Sequence, residues 1–329
     1  MTHPYLGLVQ FCVVPRMQKK NHDTVYKLLQ KNPPPAQSLI LLPELFSTGF
    51  LVKKEDLGQV SPGALFAEDF DFLSKIAKEG QWYLSGSTLG LGEGGKFLNL
   101  SLTFAPTGEL ICTYQKIHAF TFAGENLYYQ PGKNWKVYPW HYLSTLAPQA
   151  HTDSTEGNST LGRDHQTDLT SPLATSAPLL PTDSSQAHHQ YSTPKPAPLS
   201  HLLVQPTLCY DLRFPELFRA GLDLGAHIMT IQAHWPNSRQ SHWDTLLPAR
   251  AIENQAIVAG VNVTGQIGTH TYNGGSSIYT SSGDCILHMG KEEACAFTAL
   301  PHHALIEWRA KFPALKDRHP LNFYTSNTP

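Results

Sequence analysis

The chain has 329 residues, of which 41% are hydrophobic and only 15% charged, and its formal net charge is −2. That length and apolar content suit one large α/β domain or two ordinary ones, and the near-neutral charge supplies no basic field for nucleic acid or an anionic membrane surface. No stretch approaches the roughly 18 apolar residues of a membrane span, and the opening MTHPYLGLVQF has no basic segment leading into an apolar one, so no signal peptide is expected.

Tyr5 to Cys12 is apolar and alternating, which predicts a first strand. Asn21 to Lys31 carries Val25, Leu28 and Leu29 on one face and predicts a helix N-capped by Asn21. Ser38 to Leu42 is a continuous apolar run, as expected of a strand covered on both faces, and Pro43-Glu44 stops it ahead of a loop, Leu45 to Phe50. Leu65 to Lys78 reads as an amphipathic helix and Trp82 to Ser87 as a third strand; Phe97 to Phe104 and Glu109 to Gln115 form a hairpin across Pro106-Thr107-Gly108. Residues 144–200 contain no Val, Ile, Phe, Trp or Met and a single aromatic, Tyr191, so too little apolar surface is available to offset ordering entropy. This stretch is expected to be a largely disordered loop inserted in a single domain that covers residues 1–329.

Order resumes at His201. An apolar strand leads into Cys209, and Pro215-Glu216 reads as the first turn of a helix carrying Leu217, Phe218 and Leu222. Ala226 to Ala233 and Ala256 to Val263 read as strands on either side of a helix from Ser241 to Gln255, N-capped by Ser241 and kinked by Pro248. Ser276 to Thr280 and Cys285 to Met289 form a second hairpin, and Leu305, Trp308 and Phe312 mark a C-terminal arm. The alternation of strands and helices predicts mixed α/β layers. Five cysteines are scattered and odd in number, which suits free thiols in a reducing cytosol and predicts a cytoplasmic protein.

Three chemically complementary residues each follow an apolar strand: Glu44 after LILLP, Lys116 after LICTYQ and Cys209 after LLVQPTL. In open α/β sheets the functional crevice lies outside such strand ends. A thiol at a strand-to-helix turn sits near free backbone N–H groups that favour a thiolate. A carboxylate can take its proton, while an ammonium and the N–H of Tyr210 can stabilise an oxyanion. Arg213 is a candidate to hold a substrate carboxylate, with Asp211 and Glu216 as competing partners. Trp235 and Trp243 are candidates for pocket walls or for core packing.

LLPELFSTGF, YQKIHAF and CYDLRFPELFR together resemble the three signature segments of the nitrilase superfamily, the carbon–nitrogen hydrolases. The resemblance spans the chain apart from residues 144–200. It implies a Glu-Lys-Cys triad at Glu44, Lys116 and Cys209, with a second glutamate at Glu125 in GENLYYQPG to orient the lysine. HWPNSRQSHW, ARAIENQAIVAGVN and LIEWRAKFPALKDR are most similar to the omega-amidase and YafV-like amidase branch. That branch implies a four-layer αββα sandwich, a homodimer, no cofactor, and as substrate a small 2-oxo dicarboxylic acid monoamide such as 2-oxoglutaramate. Arg213 would then face the substrate carboxylate, with Phe46, Phe120, Trp235 and Trp243 as apolar walls. N-carbamoyl amide hydrolysis, nitrile hydrolysis and general aliphatic amide hydrolysis share the triad, and a scaffold protein without catalysis can share the fold. Cys285, His288 and Cys295 have a loose metal-like spacing without a second ligand pair, so no metal is expected. A papain-like Cys-His pairing would need His118 or His234 as partner.

Overall fold

Two six-stranded sheets lie face to face, and helices cover the outer face of each, in a computed structural model that describes residues 3–51, 61–142 and 201–319. The inserted stretch expected at 144–200 lies outside the described residues, all of which fall in one compact unit.

The first sheet is built from β1 (Tyr5–Gln10), β2 (Leu39–Leu41), β3 (Tyr83–Leu91), β4 (Phe97–Phe104), β5 (Leu110–Gln115) and, on the far edge beside β1, a strand from the C-terminal region, Ala294–Ala299. β1, β2 and β3 run parallel, and β4 and β5 add antiparallel turns, so the C-terminal ends of β2 and β5 point the same way. Side chains alternate as the strand period demands. Leu6, Leu8, Leu39 and Leu41 face the second sheet, while Val9, Ile40 and Leu42 face two helices, α1 (Gln18–Lys31) and α2 (Pro62–Gly80). Pro62 occupies the first turn of α2, where its missing N–H costs nothing. The helix ends on Gly80 and a left-handed Gln81; a Cβ at Gly80 would sit 2.1 Å from the Trp82 ring, which folds back over it.

After the short α3 (Glu125–Tyr128), the second sheet is formed by β6 (Tyr138–Trp140), β7 (Leu202–Leu208), β8 (Ile228–Ala233) and β9 (Ile257–Asn262), with α4 (Pro215–Asp223) and α5 (Gln240–Asn254) on its outer face. A small separate hairpin, β10 (Thr264–Ile267) and β11 (His270–Asn273), precedes β12 (Ser277–Tyr279) and β13 (Cys285–His288), which complete the sheet in the order β13-β12-β9-β8-β7-β6. The Ala294–Ala299 strand is β14, followed by α6 (His302–Lys311) and a 3-10 turn, Ala314–Asp317. Leu202, Val204, Ile228, Ile257, Ala259 and Val261 meet the first sheet across the central layer; Met229, Ile231 and Val258 point outward to α4 and α5. The result is the expected four-layer αββα sandwich.

Two local expectations are corrected. α1 begins three residues before Asn21, at Gln18, and Asn21 is not its N-cap. That side chain is fully buried: its amide donates to the carbonyls of Val14 (2.8 Å) and Ser47 (2.6 Å), and its oxygen accepts the Val14 N–H. α5 starts at Gln240 with Arg239 at the cap position, so Ser241 lies inside it, as does Pro248. β14, β6 and the β10–β11 hairpin carry no strong periodicity and are recognisable only from their pairing.

Polar contacts tie the two sheets together, and one of them sits beside the end of β2. Gln232 on β8 donates to the carbonyls of Leu42 (2.8 Å) and Ser85 (3.1 Å) and accepts from Ser101 Oγ (2.5 Å). It ties the second sheet to the end of β2, two residues before Glu44. Leu8 is fully buried in that same central layer. Leu8→Ala is expected to lower unfolding free energy by about 2–5 kcal/mol, seen as a lower urea midpoint with an unchanged m-value.

Candidate active site

The strand ends carry the site. Glu44 follows β2, Lys116 follows β5 directly, and Cys209 follows β7 directly, all at one end of the stacked sheets. They line a cavity of about 480 Å³ together with Tyr210, Arg213, Phe120, His234, Trp235 and Tyr272.

Lys116 is 3% exposed and lies between two carboxylates that are each 1% exposed. Its Nζ donates to Glu44 Oε1 at 2.8 Å and to Glu125 at 2.9 and 3.0 Å. Asn99 Nδ2 donates to the same Glu44 oxygen at 2.8 Å and is itself held by Ser87 Oγ. The other Glu44 oxygen accepts the His234 N–H at 3.3 Å. Glu125 opens α3 and accepts the Phe120 N–H at 2.5 Å, so it stands behind the ammonium rather than on the cavity wall.

These contacts set the protonation states. Burial alone would discharge Lys116, but Glu44 and Glu125 outweigh it and hold its pKa well above the usual ammonium value. Burial also opposes the Glu44 charge, and Lys116 more than offsets it, leaving Glu44 below the usual carboxylate range. Burial pushes Glu125 above that range, with Lys116 pulling it down and Glu44 pushing it up. The Cys209 thiol is pushed well above its ordinary value by burial and then by the Glu44 charge, against the pull of Lys116. The expected free thiolate is therefore not the resting form. Desolvation and the adjacent carboxylate outweigh the turn's N–H groups, and the resting pair is a neutral thiol beside an ionised Glu44, with the thiol donating to the His234 carbonyl at 3.8 Å.

The Cys209 turn is held by a buried acid. Cys209–Arg213 is a 3-10 turn placed between β7 and α4, and Cys209 itself has φ of +46°. Fully buried Asp211 accepts the N–H of Leu208 at 3.0 Å, the hydroxyl of Tyr114 on β5 at 2.6 Å, and the N–H and Nδ1 of His118 at 3.1 and 2.8 Å. Asp211 thus fastens the Cys209 turn to the segment that follows Lys116.

Glu44, Lys116, Cys209, Tyr210, Arg213, Phe120 and Trp235 are brought together as the sequence suggested. Phe46 and Trp243 are not. Phe46 is fully buried and stacks on His22 and Phe72 under α1 and α2. Trp243 is fully buried between α5 and the second sheet, its Nε1 donating to Gly275 O at 2.9 Å. Arg213 pairs with neither Asp211 nor Glu216: its guanidinium lies 4.8 Å from the Trp235 ring and contacts His242 Nδ1 at 3.1 Å. His118 stacks on Phe214 and is engaged by Asp211, while His234 presents its backbone carbonyl, at 3.8 Å, to the Cys209 sulfur. Burial lowers the His234 imidazole to about 4, so it is neutral and no papain-type ion pair forms. Among the described residues, no three His, Cys, Asp or Glu side chains gather as a metal site, and no helix is long and apolar enough to cross a membrane. The residues missed from sequence are Asn99, Phe50, Phe122, Arg239 and Tyr272. Phe50, within LLPELFSTGF, and Arg239, within HWPNSRQSHW, stood in segments already singled out.

A four-layer αββα sandwich with carboxylate, ammonium and thiol converging at its strand ends defines the nitrilase class of architecture. The carbon-nitrogen hydrolase family model matches residues 6–310, and the chain belongs to that family. It is 32% identical to a 2-oxoglutaramate amidase of Paenarthrobacter nicotinovorans over 285 residues, covering 85% of this chain and 78% of the relative. An omega-amidase YafV of Yersinia enterocolitica is 28% identical over 283 residues, covering 85% and 84%. Among solved structures, the CN-hydrolase superfamily protein XC1258 of Xanthomonas campestris, with an arsenic adduct in its active site, superposes with a TM-score of 0.72 at 25% identity over 98% of this chain and 99% of that one. An amidase from Nesterenkonia sp. shares the fold at a TM-score of 0.67 and 21% identity, covering 96% and 97%. The chain is an amide-cleaving hydrolase of the nitrilase superfamily.

Removing the shared cation tests the electrostatics. Lys116→Met leaves two buried carboxylates facing each other and is expected to cost about 3–5 kcal/mol of stability. Adding Glu125→Gln should restore at least half of that loss in urea denaturation without restoring turnover.

Proposed function

We propose that the protein hydrolyses the primary amide of a small 2-oxo dicarboxylic acid monoamide, of which 2-oxoglutaramate is the type, to the acid and ammonia. The observation that carries the chemistry is the Lys116–Glu44 contact at 2.8 Å on the same cavity wall as the Cys209 thiol. The names of the relatives from Paenarthrobacter nicotinovorans and Yersinia enterocolitica support the substrate class.

Glu44 takes the Sγ proton as the sulfur attacks the amide carbon, so a neutral thiol beside an ionised carboxylate is the required starting state. The resulting oxyanion is met by the Lys116 ammonium and the Tyr210 N–H. Glu44 returns its proton to the amide nitrogen, the C–N bond breaks and ammonia leaves a thioester on Cys209. Glu44 then deprotonates a water that attacks the thioester; the C–S bond breaks, and the thiol and the carboxylic acid are released. Glu125 keeps Lys116 in place throughout. Arg213 faces the substrate carboxylate, while Phe120 and Trp235 supply apolar walls for its short carbon chain. In this scheme the protein's residues provide every proton transfer. We further propose, from the family resemblance, that the enzyme works as a homodimer in the cytoplasm.

Cys209→Ala should abolish ammonia release while leaving the circular dichroism spectrum and thermal midpoint close to those of the parent. Full residual turnover would remove the nucleophile assignment. The substrate reading is checked by comparing 2-oxoglutaramate and succinamate with butyramide. A site that pairs a carboxylate leaves donors unsatisfied when that group is missing, so kcat/KM for the charged amides should be higher by about 100-fold or more. Equal values would reassign the enzyme as a general aliphatic amidase.

A further inference from the structure

Arg239 stands at the end of a short 3-10 turn, Asn237–Arg239, and lines the cavity. Its guanidinium carbon lies 5.6 Å from the ring centroid of Phe120 and 5.1 Å from that of Phe122. Contacts of this kind use the faces of the rings and leave the in-plane N–H groups of the guanidinium unspent. Other arginines of the fold spend theirs: Arg250 on the Leu212 carbonyl and Glu253, Arg309 on the carbonyls of Gln255 and Ala226, Arg219 on the Glu253 carbonyl, and Arg318 on Asp223. Among the described residues the Arg239 guanidinium has neither a carboxylate nor a carbonyl partner, whereas its backbone is engaged on both sides, the N–H donating to Pro236 O at 3.0 Å and the carbonyl accepting a side-chain donor.

That carbonyl leads to the second cation. It accepts the Trp235 Nε1–H at 2.8 Å, and the same indole carries the Arg213 guanidinium at 4.8 Å from its centroid. Trp235 is fixed in turn by Asn262, whose Oδ1 accepts the Trp235 N–H at 2.7 Å and whose Nδ2 donates to the Trp235 carbonyl at 3.0 Å. One braced indole therefore sets the placement of both guanidinium-bearing segments. Two cations on the wall of a largely apolar cavity repel each other when it is empty, and a bound anion relieves that repulsion. A carboxylate has about four lone-pair sites and can accept from two guanidinium groups at once.

We propose that Arg239 is a specificity-determining residue, the second half of a two-guanidinium clamp with Arg213 that grips the carboxylate of the amide substrate, with Trp235 as its spacer. This rests on the substrate class given above and assigns its recognition to a residue on a different element from the nucleophile turn. A lysine at 239 keeps the charge but loses the planar fork and the stacking on Phe120 and Phe122.

The test is steady-state kinetics of the full-length enzyme on succinamate and butyramide. Arg239→Met is expected to lower the succinamate-to-butyramide ratio of kcat/KM by roughly tenfold or more, chiefly through KM for succinamate. Arg239→Lys should fall between, and Trp235→Phe, which keeps a ring beneath Arg213 but releases the Arg239 carbonyl, should shift the ratio in the same direction. Should the methionine variant fold poorly, Arg239→Gln carries the same expectation. A ratio unchanged in Arg239→Met or Arg239→Gln, or equal losses on both substrates, overturns the clamp while leaving the amidase reading intact. A parent enzyme without preference for succinamate overturns the substrate reading and the clamp with it.

Discussion

One ammonium serves two buried carboxylates, and the rest of the site depends on that shortage. Lys116 reaches Glu44 and Glu125 at hydrogen-bond distance with almost no solvent to screen any of them. Desolvating three charges is costly, and the arrangement persists because each carboxylate is also held by neutral donors or by the backbone. Asn99 and the His234 N–H support Glu44, and the Phe120 N–H supports Glu125. The uneven outcome matters chemically: the carboxylate facing the thiol stays ionised, and the one behind the lysine takes the burden of burial.

Placing a thiol against this charge cluster requires two sheets to meet in register. Gln232 bridges them beside the end of β2, and Asp211 bridges them beside the ends of β5 and β7. Both are buried polar groups with several partners, set at the margin of an apolar layer that is otherwise indifferent to small sliding motions. The hydrophobic layers hold the sheets together, and these two polar links select one relative position.

Glu44, Lys116 and Cys209 were legible because each closely follows a strand-like, largely apolar segment, and such segments locate strand ends without knowledge of the partners. Glu125 follows no strand and was recognisable only by resemblance. Phe46 was misplaced for a simple reason: two residues past Glu44 the chain turns inward, Leu45 takes φ of +42°, and the ring drops into the core beside His22 instead of facing the cavity. Asn21 carries the composition of a helix cap, yet its amide is drawn to two loop carbonyls brought near by tertiary packing. Asn99 lies in the middle of a strand, and Arg239 ends a short turn a few residues past Trp235. Neither position has a local signature, since what they do depends on which strands end up adjacent.

Cys209 is a non-glycine residue in the left-handed region, at φ of +46°, which typically costs about 1–3 kcal/mol. A glycine there would relax the backbone and remove a thiol that burial and a neighbouring carboxylate disfavour as an anion. The most conspicuous local route to a sturdier fold therefore passes through the loss of the reactive atom itself. Backbone ease and the presence of a thiol on the cavity wall pull in opposite directions at this one position, and the strained cysteine settles the matter in favour of the thiol.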